Sequence, residues 1–74
     1  MKLEKAFGTV LREARNKKEI SQEALALECD LDRTFVSMLE RGIRQPSLTT
    51  VFRLAKELGV KPSELVQRVE AKLK

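Results

Sequence analysis

The segment DRTFVSMLERG, residues 32–42, carries side chains suited to contacting a partner molecule. Val36 and Leu39 are three positions apart and define one apolar face, as in a short amphipathic helix. The other positions carry a guanidinium, hydroxyl groups and a thioether, which donate hydrogen bonds or pack against a ligand. No nucleophile stands beside a credible base. The segment therefore indicates either a recognition surface or a simple solvated face, and not a reaction centre.

The chain lacks the groups on which most enzymes depend. It contains no His and a single Cys, Cys29, which excludes an internal disulfide and a cysteine-based zinc cage. No glycine-rich phosphate loop is present. We therefore expect no enzyme activity, no metal and no cofactor. Cys29 is expected to be a small core residue, with a redox switch as the alternative.

Charge and length set the broad class of the protein. Lys and Arg number 15 against 11 Asp and Glu, a net charge of +4 that fits an anionic partner or merely favours solubility. The 74 residues indicate one domain, 1–74, with a small core. No apolar run approaches the roughly 20 residues of a membrane span, and the N-terminus lacks an apolar signal core. We therefore expect no membrane contact, and the lack of a disulfide indicates an intracellular protein.

Hydrophobic periodicity predicts three helices in the first half of the chain. The first covers residues 3–18, where Gly8 lowers helix stability by roughly 1 kcal/mol relative to Ala. Ser21 is the expected N-cap of the second helix, QEALALEC. Asp32, whose carboxylate can cap the next helix, precedes a third helix over about residues 33–41.

Two further helices are predicted in the second half. Ser47 is the expected N-cap of the fourth helix, and Gly59 closes it. Pro62 suits the first position of the fifth helix, over about residues 62–73. The predicted buried stripe of the fourth helix is Leu48, Val51, Leu54, Ala55 and Leu58. No segment alternates with the period of a strand, so the sequence predicts a compact all-α domain of five helices.

The short connection CDLD between the second and third helices forces a steep crossing, and Ala26 is small enough for the close approach. The run SQEALALECDLDRTFVSMLERGIRQPSL resembles the helix-turn-helix family of phage repressor and Cro proteins, the xenobiotic-response-element type. The resemblance extends over about residues 5–66, and its hallmarks are Gln22, Ala26, DRTFVS, LERG, Pro46 with Ser47, and LAKELGV. Asp30 replaces the usual Gly of a turn that needs positive φ, which Asp tolerates better than most residues, so we expect a small stability cost.

The resemblance implies that the third helix enters the major groove of double-stranded DNA. The implied base-contacting residues are Arg33, Thr34, Ser37 and Met38. An arginine can donate two hydrogen bonds to a guanine edge, for about 1–3 kcal/mol of discrimination, and a Met can pack on a thymine methyl. The implied phosphate contacts are Gln22, Arg44 and Arg41. For Arg41, pairing with a nearby acid is the alternative.

Three further roles follow from the same resemblance. Arg15 and Glu40 are expected to form a partly buried structural ion pair between the first and third helices. Phe35 is expected to support the third helix by packing, with a place beside the DNA backbone as the alternative. Relatives often pair through their C-terminal helices, which implies a homodimer with two third helices about 34 Å apart on a palindromic site. The residues implied in the dimer interface are Phe52, Leu65, Val66 and Val69.

Leu65, Val66, Val69 and Leu73 form an apolar stripe on the fifth helix, and the alternative is that this stripe only covers the core of the monomer itself. As a whole, the resemblance implies a sequence-specific transcriptional regulator, either a repressor or a stand-alone controller, in the cytoplasm of a prokaryote or encoded by a phage. It implies no small-molecule ligand. The alternative function is an antitoxin or bridging-adaptor module that acts mainly through protein–protein contacts.

Overall fold

A computed structural model describes all 74 residues and contains five α-helices and no strand. The helices are α1 Leu3–Lys17, α2 Gln22–Glu28, α3 Arg33–Glu40, α4 Leu48–Leu58 and α5 Pro62–Leu73. The predicted all-α architecture is confirmed, and the first three helices end one residue earlier than predicted. None of the helices combines the length and the apolar character that a membrane crossing requires.

Two of the three predicted side-chain caps are present. The Ser21 hydroxyl accepts a hydrogen bond from the Ala24 backbone N–H at 3.0 Å, and the Ser47 hydroxyl accepts one from the Thr50 N–H at 3.1 Å. Asp32 also occupies an N-cap position, but its carboxylate makes no capping hydrogen bond. The prediction that Asp32 caps α3 through its side chain is therefore wrong. Asp32 is exposed, so water can hydrate its carboxylate instead.

The turn between α2 and α3 has the backbone conformation that the sequence predicted. Asp30 lies in the left-handed region with a φ of 55°, and the following Leu31 N–H donates to the Ala26 carbonyl at 2.8 Å. Glu19, in the connection between α1 and α2, has a φ of 60°, which the sequence did not indicate. A residue other than glycine in this region raises the conformational free energy by roughly 1–2 kcal/mol. The packing around the two turns must therefore hold these conformations in place.

One hydrophobic core joins all five helices. Its fully buried large side chains are Leu11, Leu25, Leu39, Leu54, Leu65, Val10 and Val36. Cys29 is buried in the same core, and burial raises the pKa of its thiol, as expected of an inert core residue. Leu48, predicted in the buried stripe of α4, is 71% exposed because it begins the first turn of that helix, outside the core.

The C-terminal helix contributes to this core in a way that corrects the predicted dimer interface. Leu65 is 0% exposed and Val69 is 5% exposed, so both side chains are covered by the protomer itself. Neither is accessible to a second copy, and their assignment to the interface is wrong. α5 packs against α1 and α4, and this packing buries one face of the predicted stripe.

Gly8 allows α1 to approach the end of α3 closely. A Cβ atom at this position would lie 2.5 Å from the Leu39 carbonyl oxygen and 2.6 Å from that of Glu40. Both distances are far below van der Waals contact, so only glycine fits without a backbone shift. This contact fixes the last turn of α3 against the middle of α1, which decides where the Glu40 side chain can reach.

Candidate nucleic-acid interface

The outer face of α3 is polar and its inner face is apolar. Val36 and Leu39 are both 0% exposed, whereas Arg33 and Thr34 are exposed and Ser37 is partly exposed. An α-helix with its side chains is about 10–12 Å in diameter, which is close to the roughly 12 Å width of the DNA major groove. The residues implied as base contacts therefore occupy the solvent side of a rod of suitable size.

Four residues of α2 and α3 line a small polar cleft, which we call the α2–α3 cleft. Its lining residues are Gln22, Arg33, Thr34 and Ser37. The structure thus brings together three predicted base contacts and one predicted phosphate contact. Met38 does not line the cleft and is partly buried one position further along α3.

The predicted ion pair between Arg15 and Glu40 is present beneath this surface. Arg15 Nε donates to Glu40 Oε2 at 2.6 Å, and Arg15 Nη2 donates to Oε1 at 3.0 Å. The Glu40 side chain is 0% exposed and that of Arg15 is 13% exposed. Arg15 Nη1 also donates to the Ile20 carbonyl at 2.9 Å. One guanidinium therefore links α1, the connection to α2, and the end of α3.

Gln22 takes part in the same network, which the sequence did not indicate. Its side-chain Nε2 donates to Glu40 Oε1 at 3.0 Å, so the amide predicted to contact phosphate already has a protein acceptor. An amide nitrogen carries two hydrogens, and the second remains for another acceptor. Arg12 Nε lies 3.5 Å from the same Oε1 atom, with its side chain 52% exposed.

These contacts determine the ionisation of the buried carboxylate. Burial alone would raise the pKa of the Glu40 carboxyl, but hydrogen bonds from Arg15 and Gln22 and the nearby positive charges outweigh it. The pKa of Glu40 therefore lies below its ordinary value. The hydrogen bond to Glu40 raises the pKa of Arg15 despite the partial burial of that side chain. Both groups stay charged near neutral pH.

Arg41 and Arg44, which follow α3 in the chain, are both exposed. Arg41 Nε donates to the Ser37 carbonyl at 3.4 Å, and none of the ion pairs in the structure includes Arg41. The alternative that it pairs with an acid is thus not realised. Arg44 is exposed in the connection between α3 and α4. Phe35 is partly buried and packs against the core, in agreement with the predicted packing role.

A second exposed surface, which is apolar where the α2–α3 cleft is polar, lies across α4 and α5. Leu48, Phe52 and Val66 are 71%, 54% and 52% exposed, and we call these three residues the α4–α5 patch. Leu48 and Phe52 line two adjoining grooves together with Pro62, and Val66 lines one of them. Phe52 and Val66 were predicted interface residues. Leu48 was missed because its spacing also fits the buried stripe of its helix.

Comparison with known proteins gives consistent matches. The sequence pattern of the helix-turn-helix family matches residues 11–65. The chain is 48% identical over 61 residues to control protein C.BamHI of Bacillus amyloliquefaciens, covering 81% of this chain and 75% of that protein. It is 40% identical over 65 residues to control protein C.MunI of a Mycoplasma species, covering 86% and 88%. The crystal structure of the restriction-modification controller protein C.AhdI from Aeromonas hydrophila matches with a TM-score of 0.81 and 45% identity, covering 84% and 94%.

Proposed function

The chain belongs to the helix-turn-helix family of DNA-binding transcriptional regulators, and we propose that it is a controller or repressor that binds a palindromic operator as a homodimer. The observation that carries the proposal is the α2–α3 cleft, whose exposed donors lie above a buried ion network. Within the cleft, the hydrogen bond to Glu40 restricts the Gln22 amide, which lowers the entropic cost of using it as a DNA contact.

Base recognition falls to the outer face of α3. Arg33 is exposed at the first position of the helix, where a guanidinium can bond both acceptors of a guanine edge. Thr34 and Ser37 supply hydroxyl groups that bond to bases or phosphates. Met38 reaches the groove only with the exposed part of its side chain and contacts a thymine methyl.

Phosphate contacts surround this face. Gln22 has one amide hydrogen left beside the cleft, and Arg41 and Arg44 supply two exposed guanidinium groups after the helix. Contacts of this kind fix the register of a protein on the duplex and make its affinity depend on salt. The net charge of +4 acts in the same direction.

The α4–α5 patch is the surface that we assign to dimerisation. Its exposed apolar side chains have no cover within the protomer, and burying them stabilises an assembly by about 25 cal/mol per Å². Arg53 and Lys56 line one groove of the patch, and Glu70 lines the other, so a two-fold axis can set cations against carboxylates. A second copy of the chain therefore fits the patch in both polarity and charge.

The proposal includes no catalytic step, metal, cofactor or small-molecule ligand. The relatives named above are bacterial control proteins, and a regulator of bacterial or phage genes meets its DNA in the cytoplasm. We therefore place the protein there.

Selection of bound sequences from a random duplex pool tests the proposal directly. The expected result is a palindrome with half-sites centred about 10 base pairs apart, bound by two protomers in sedimentation experiments. The purified protein should prefer that site over scrambled DNA by a factor of about 10³ or more. An antitoxin or bridging adaptor that works through protein contacts need not show this preference. Equal binding to both duplexes would therefore overturn the proposal.

A further inference from the structure

Arg12 is an exposed cation held beside a carboxylate that is already neutralised. Its Nε atom lies 3.5 Å from Glu40 Oε1, yet Glu40 already receives two hydrogen bonds from Arg15. One negative charge therefore faces two positive charges, and no other acid forms an ion pair with Arg12. The cluster keeps one net positive charge, and half of the Arg12 side chain is open to solvent.

The Arg12 guanidinium lies close to Gln22, which lines the α2–α3 cleft. Gln22 Nε2 lies 3.0 Å from the same Glu40 oxygen that Arg12 Nε approaches at 3.5 Å. The two nitrogen atoms are thus no further apart than the sum of these distances. Phosphate oxygens accept hydrogen bonds at about 2.9 Å, so two donors with this separation can reach one phosphate group together.

Glu40 explains why these two side chains stay adjacent. Its carboxylate is fully buried at the end of α3, and it accepts hydrogen bonds from Arg15 and Gln22 while attracting Arg12. A buried acceptor with a fixed position limits the rotamers of the groups that bond to it. Glu40 does not itself contact the ligand in this arrangement and acts as a positioning residue.

We propose that Arg12 and Gln22 form a two-donor clamp for one DNA phosphate, held in place by Glu40. Arg12 would then be a further DNA contact, contributed by the first helix and not by the helix-turn-helix. This inference rests on the proposed function, because it deepens the same DNA-binding surface. It predicts that α1 contributes directly to the salt dependence of binding.

The test uses Arg12→Ala and Arg12→Gln in the full chain, with affinity for the selected operator measured at several salt concentrations. Loss of one phosphate contact per protomer lowers the slope of log affinity against log salt by about 0.9 per protomer. We expect both variants to bind about tenfold more weakly, with an unchanged ratio between operator and scrambled DNA. Arg12→Gln keeps a hydrogen-bond donor for Glu40, so it separates loss of charge from loss of packing.

Lys61→Ala is the matched control, because it removes one charge in the connection between α4 and α5, away from the cleft. It should leave the slope at the wild-type value. Replacing single operator phosphates by neutral methylphosphonates should identify one position in each half-site that weakens the wild type more than it weakens Arg12→Ala, in which only the Gln22 contact is left to lose. A wild-type slope in both Arg12 variants would overturn the clamp alone. Failure of the wild type to bind any duplex at low salt would overturn the proposed function.

Discussion

The α2–α3 cleft and the α4–α5 patch are both exposed, but different kinds of interior support them. Beneath the cleft lies the Arg15–Glu40 pair, whose carboxylate is 0% exposed. Beneath the patch lie aliphatic side chains such as Val51, which lines one of its grooves and is 8% exposed. A surface that reads base edges needs its donors at fixed positions, which charged and directional contacts provide. A surface that binds a second copy mainly needs apolar area and a matching shape.

This difference predicts that substitutions in the two regions impair different properties of the protein. A change under the cleft leaves a buried charge without its partner, so it should affect folding before it affects recognition. A change in the patch touches groups that are exposed in the protomer, so it should affect assembly and leave the protomer folded. The following variants separate these outcomes.

Arg15→Ala should give the largest effect, because it leaves the Glu40 carboxylate buried with only weaker partners. Breaking a buried pair from one side costs about 3–5 kcal/mol. The free energy of unfolding, measured by urea denaturation, should fall by that amount, with binding by the remaining folded fraction close to normal. A small loss of stability combined with a large loss of operator preference would contradict the claim that the buried pair mainly supports folding.

Phe52→Glu should dissociate the dimer and leave the protomer folded. The side chain is 54% exposed, so the protomer loses little, but across a two-fold axis two carboxylates would face each other. Like charges at an interface cost several kcal/mol. Sedimentation should show monomers at concentrations where the wild type is dimeric, and the thermal midpoint of the monomer should show no large drop. A dimer that persists would exclude the α4–α5 patch as the interface.

Arg33→Ala should change recognition alone. The side chain is exposed and forms no ion pair, so stability should stay within about 0.5 kcal/mol of the wild type. Losing a bidentate contact to guanine should reduce discrimination at one position of each half-site by about 1–3 kcal/mol. Competition binding with single-base operator variants measures this. Unchanged preference at every position would remove Arg33 from the base-reading set.

Low pH should remove the stabilisation that the Arg15–Glu40 pair gives to the fold beneath the cleft. The folded pKa of Glu40 lies below its ordinary value of 4.5, so the pair stabilises the fold fully above that pH and loses its contribution as pH falls through the lowered folded pKa. Urea unfolding of the wild type and of Glu40→Gln at decreasing pH measures this contribution. The wild type should lose stability more steeply below pH 4.5 than the variant. Parallel curves for the two proteins would contradict it.

Lys72→Ala should give the smallest effect, although it also removes an ion pair that joins α1 to another helix. Lys72 Nζ lies 3.0 Å from Glu13 Oε2, but the two side chains are 36% and 58% exposed. Exposed pairs contribute about 0–1 kcal/mol. The unfolding free energy should therefore barely change, and a loss comparable to that of Arg15→Ala would mean that burial is not what distinguishes the two pairs.

Local features of this fold could be predicted from the sequence because they depend on neighbouring residues. Helix ends and the caps at Ser21 and Ser47 follow from side chains within a few positions. The positive φ at Asp30 was also predicted, from a resemblance in which the turn has a fixed form. The Arg15–Glu40 pair was predicted from the same resemblance, and no periodicity would have indicated it.

Contacts between distant segments were harder to predict. Leu65 and Val69 share a stripe with the exposed Val66, and only the packing of α5 decides which of the three is buried. The hydrogen bond from Gln22 to Glu40 joins residues 18 positions apart, and its geometry depends on how α1 orients the end of α3. The only local signal for that orientation was Gly8, which the sequence indicated merely as a weak point in a helix.

The contact at Gly8 also has a consequence for the order in which the chain acquires structure. α1 has 15 residues and includes a glycine, so in isolation it is a marginal helix. The backbone atoms that it packs against, at Leu39 and Glu40, are synthesised more than twenty residues later. During synthesis, α1 therefore lacks this packing contact until the end of α3 has left the ribosome. We therefore expect the ordering of α1 to depend on the presence of α3.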